Sequence, residues 1–85
     1  MSKDLTKQMI SDFKPYIRPR FFEIWEKGVW EEVDYFGGGV QKIEEIPFPD
    51  KPGIMEKRYY FPDGEGGLYP SYILNAFECG EKNSL

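Results

Sequence analysis

Histidine is absent from all 85 residues, and Cys79 is the single cysteine. That removes the side chain that titrates near neutrality, the commonest transition-metal ligand, and the ordinary base for a Ser or Cys nucleophile. Carboxylates remain as acid/base candidates, with Glu31-Glu32 and Glu44-Glu45 adjacent in sequence. On strands, neighbours point to opposite faces, so neither pair makes the dyad that glycoside hydrolysis requires. Cys79 lies between Glu78 and Glu81, a negative setting that disfavours a reactive thiolate. Gly37-Gly38-Gly39 lacks both the following Gly-Lys-Ser/Thr and the spacing of a dinucleotide fingerprint, and reads as a turn. Asp63-Gly64-Glu65 lacks the distal bidentate glutamate of a calcium loop and reads the same way. The expectation is a chain with no catalytic residues, no metal and no cofactor.

Aromatic residues are the surplus: seven Phe, six Tyr and two Trp. They offer large contact area at low entropic cost, and so serve either as core or as contact surface. Net charge is −4, and its distribution is uneven. Residues 1–20 carry net +3, residues 21–50 net −6 and the remainder −1. Glu26, Glu31, Glu32, Asp34, Glu44 and Glu45 fall in the acidic middle, interleaved with Trp25 and Trp30. These eight residues are the expected partner-binding set, the carboxylates forming an acidic surface and the two tryptophans anchoring it. A basic protein partner fits that surface. Direct nucleic-acid binding does not, because stacking aromatics there require a basic groove.

The elements that must position these residues are set by spacing. Leu5, Met9, Ile10 and Phe13 form one helical stripe between Ser2 and Lys14, ended by Pro15. Residues 19–36 admit two readings. Phe22, Trp25, Val29, Val33 and Phe36 fit a helical stripe, whereas Arg20 to Glu26 and Val29 to Phe36 fit a hairpin turning at Lys27-Gly28. One Ala and four Leu against seven Ile and fifteen aromatic residues favour the hairpin. Strands are further expected over Val40–Ile46, Ile54–Phe61 and Tyr69–Glu78, with Pro70 forcing an edge or a bulge. The expected whole is an α+β domain spanning residues 1–85, one N-terminal helix on a twisted antiparallel sheet of four to five strands, with 80–85 a frayed tail.

Residues 1–5 lack the apolar stretch of a signal peptide, no long apolar run exists, and one cysteine permits no internal disulfide, so a cytoplasmic, non-membrane protein is expected. In size and charge the chain resembles the small acidic proteins of phages and other mobile elements, DNA mimics and anti-CRISPR proteins among them, with no motif aligned. The missing histidine, the aromatic surplus and the clustered acid lead to the expectation of a non-enzymatic protein-binding module. The resemblance in size and charge adds its most specific form, a small acidic inhibitor of a basic nucleic-acid-binding protein. Two alternatives compete: an aromatic-face binder of a small ligand or single-stranded nucleic acid, and a small structural subunit of a larger assembly.

Overall fold

The computed structural model describes residues 2–50 and 52–75. Helix α1 spans Ser2–Phe13 and runs into a single 3₁₀ turn, Lys14–Tyr16, at Pro15. Helix α2 spans Pro19–Phe36, followed by strands β1 (Lys42–Pro47), β2 (Met55–Pro62) and β3 (Leu68–Asn75). The strands form an antiparallel meander in the order β1-β2-β3. Both helices are layered on one face of the sheet, and the molecule is only 17 Å across in its shortest dimension.

Residues 19–36 are one helix, not the expected hairpin. Pro19 opens it with a preset φ and no N–H to satisfy. Gly37 closes it at φ +73°: its N–H donates to the Asp34 carbonyl and the Gly38 N–H to the Val33 carbonyl, a Schellman arrangement. Gly28, expected to supply the hairpin's positive φ, instead sits mid-helix without one. Composition misled here because propensity is a weak prior, whereas the Phe22, Trp25, Val29, Val33 stripe buries a whole helix face against the core. The architecture is accordingly α+β with two helices, and among the described residues the sheet has three strands rather than four to five.

The other elements obey their spacing. Met9 and Ile10 are buried, with Leu5 and Phe13 packed against them, as the α1 stripe requires. On β2, Tyr59 and Phe61 point inward to meet Val29, Val33, Val40 and Leu74 in the core. Tyr59 pairs with Tyr72 and Tyr60 with Pro70, so Ser71 is an extra residue in β3. This bulge lies beside Pro70, which has no N–H for the ladder. Buried Thr6 accepts a hydrogen bond of 2.8 Å from the Val40 N–H, tying the α2–β1 connection to α1. Cys79, the 80–85 tail and the last three residues of the expected final strand lie outside the described residues.

Candidate interaction surface

α2 carries six of the eight residues expected to bind a partner, and its periodicity sends them in three directions. Trp25 turns inward. Its ring lies 5.5 Å from Phe13, 5.9 Å from Phe22 and 5.8 Å from Tyr72, so it joins both helices to the sheet. Trp30 and Glu26 flank a cleft of about 480 Å³ between α1 and α2, across from Lys7 and Lys14. The Lys14 ammonium closes one end of the cleft, 5.7 Å from the centre of the Phe22 ring on α2. Glu31 and Asp34 point to solvent on the outer side of α2. Glu32 is half-buried, and one of its carboxylate oxygens is buried without a hydrogen-bond partner. Burial raises the pKa of the Tyr72 hydroxyl, and the Glu32 charge raises it further.

Glu44 and Glu45 stand apart from this helix, on opposite faces of β1. Glu44 accepts a 2.8 Å hydrogen bond from the Tyr60 hydroxyl on the open face of the sheet and lies 3.9 Å from the Lys42 ammonium. Glu45 lies 3.9 Å from the Lys57 ammonium on the helix-facing side. The open sheet face also carries the Glu56–Arg58 ion pair. The fold therefore divides the six carboxylates between α2 and β1 and does not gather them into one acidic face.

Three large apolar residues that spacing alone did not single out complete the outer side of α2. Phe21, Ile24 and Tyr35 are 60%, 66% and 83% exposed. At about 100° per residue, Phe21, Ile24, Gly28 and Tyr35 form one stripe. Arg20, Lys27, Glu31 and Asp34 border it on one side. The signal was legible in principle: a helix with two apolar stripes has one more than a two-layer fold can cover.

A second site missed from sequence is interior. Asp12 Oδ2 accepts hydrogen bonds from Lys57 Nζ at 2.8 Å and from the Tyr59 hydroxyl at 2.6 Å, while Oδ1 accepts one from Gln8 at 2.8 Å. Burial pushes the Asp12 pKa up, but the hydrogen bonds from Lys57, Tyr59 and Gln8 outweigh it and hold the carboxyl below its ordinary range. Burial first, and then the bond to Asp12, push the Tyr59 hydroxyl far above an ordinary phenol. This cluster ties α1 to β2. Its signal was Asp12 itself, a charge seven residues from Leu5 and three from Met9, within the apolar stripe of α1.

Among the described residues no group of three or more His, Cys, Asp or Glu side chains is placed to hold a metal ion. No described helix is long and apolar enough to cross a membrane. No protein-family model, curated protein or solved structure matches the chain.

Proposed function

We propose that the protein is a non-enzymatic binding module whose contact surface is the outer side of α2. The observation that carries this reading is the exposed stripe of Phe21, Ile24 and Tyr35 bordered by the carboxylates of Glu31 and Asp34. Large apolar side chains displayed together on one helix face suit a protein partner, and carboxylates beside them select one with basic side chains at matching positions. Inhibition of a basic nucleic-acid-binding protein is the most specific form of this function, with Glu31 and Asp34 taking positions that phosphates would otherwise occupy.

A photo-reactive residue at Ile24, compared with one at Lys42 on the open sheet face, tests the reading in cells of the source organism. Protein adducts at position 24 that are lost in the Glu31→Lys/Asp34→Lys variant are expected. Equal adducts at both positions, or none, would remove α2 as the contact surface.

The cleft supports a second reading, because Lys7, Lys14, Phe22 and Trp30 line it together with Glu26, around a space large enough for a small aromatic anion. Titration with an aromatic carboxylate, followed through Trp30 fluorescence in a Trp25→Phe background, would show saturable quenching that Lys7→Gln/Lys14→Gln abolishes.

A further inference from the structure

The two aromatic ends of the stripe on the outer side of α2 lie at equal distances from a glycine that no contact among the described residues requires. Gly28 lies between them, with Phe21 seven residues before it and Tyr35 seven residues after. A glycine inside a helix is unfavourable relative to alanine. Its φ is not positive, and a Cβ built on it would meet nothing within 4 Å. Nothing among the described residues accounts for the missing side chain. Close approach of another backbone does.

Charge along the stripe identifies that backbone. On the outer side, the half before Gly28 carries Arg20, Glu23 and Lys27, net +1, and the half after it carries Glu31 and Asp34, net −2. Glu31 and Asp34 make no side-chain hydrogen bond or ion pair among the described residues. A second copy of α2, laid antiparallel across the first with the two-fold axis at Gly28, sets each acidic half against the half that carries both outer-side cations. Arg20 then faces the partner's Asp34 and Lys27 the partner's Glu31, one pair on either side of the axis. The same operation brings each Phe21 to the partner's Tyr35, about 10 Å from the axis at both ends. Antiparallel helix dipoles add to the match, and an isologous contact of this kind closes at two copies.

We propose that the partner of this surface is a second copy of the protein, forming a two-fold antiparallel α2 dimer that crosses at Gly28. This inference rests on the reading of α2 as the contact surface and names its occupant. Glu23, on the far edge of the outer side, stays solvated at the rim of the pair.

Sedimentation equilibrium on the full chain, from micromolar to millimolar concentration, tests the proposal, and a concentration-dependent dimer is expected. Gly28→Gln should separate folding from association. In dilute solution, where both proteins are monomers, it should raise the unfolding midpoint by a few degrees, about 4 °C, because glutamine is the better helix former. At high concentration it should weaken dimerisation by on the order of tenfold or more. The variants Arg20→Glu/Lys27→Glu and Glu31→Lys/Asp34→Lys should each be monomeric alone and should pair when mixed. Circular dichroism confirms that each variant is folded, and Gly28→Gln supplies the test should a charge variant not fold. A single monomer mass across the whole range, or a dimer indifferent to Gly28→Gln and to charge exchange, would overturn the proposal. Adducts at position 24 with a different protein, from a chain that stays monomeric, would overturn self-pairing and leave the binding-module reading standing.

Discussion

The open face of the sheet and the outer side of α2 are made from the same residue types, yet they present opposite surfaces. On the sheet, Glu44 is held by Tyr60 and lies near Lys42, Glu56 pairs with Arg58, and Tyr60 turns its hydroxyl onto a carboxylate. The two-residue repeat of a strand puts opposite charges on one face, where the chain satisfies them itself. On α2 both cations, Arg20 and Lys27, precede Gly28, Glu31 and Asp34 follow it, and the apolar residues beside them stand exposed. The sheet face answers its charges internally and displays a large apolar residue opposite Arg58, Ile73 at 49% exposure. A surface whose charges are segregated beside apolar groups is suited to a partner.

Within α2 the same contrast recurs between its inner and outer sides, and this gives the largest expected effect. Trp25→Ala removes a ring that touches Phe13, Phe22 and Tyr72, and should cost about 3 kcal/mol of folding stability in urea titrations. Ile24→Ala, one residue away on the outer side, should stay within about 0.5 kcal/mol. Comparable losses at both positions would erase the distinction between a packed and a displayed side.

The interior tie at Asp12 is the next test, because it sets a charge answered in the core against charges displayed on α2. Asp12→Ala should destabilise by roughly 2 kcal/mol through loss of charge-assisted hydrogen bonds from Lys57 and Tyr59. Its pKa is lowered on folding, so its contribution is complete above the ordinary aspartate value, about 3.9, and is lost as pH falls below that. The Asp12→Asn variant should therefore lose less stability between pH 7 and pH 3 than the parent does. Glu31→Gln, at a position with no side-chain bond among the described residues, should leave that difference unchanged.

The smallest effects come from two glycines in and after the same helix, and they should differ in sign. Gly37→Ala places a Cβ on left-handed backbone and should cost about 1 kcal/mol. Gly28→Ala, on ordinary helical backbone with open space around it, should gain about 0.5 to 1 kcal/mol in the monomer. A loss at Gly28 would mean that the isolated chain itself requires glycine there.

The amino-acid sequence by itself determined the features that depend on local spacing and on residue chemistry. It excluded histidine chemistry, placed the apolar stripe of α1, and set the three strands near their observed bounds, with Pro70 beside the bulge. Each of these depends only on near neighbours along the chain. Tertiary structure decided the rest. Residues 19–36 carry a pattern that satisfies helix and hairpin alike, and burial of Val29 and Val33 against Tyr59 and Phe61 selected the helix. That choice turned Trp25 inward, left Phe21, Ile24 and Tyr35 outside, and parted the α2 carboxylates from those of β1. The physical reason is that periodicity specifies which residues share a face, but only the element packed opposite specifies which face is buried.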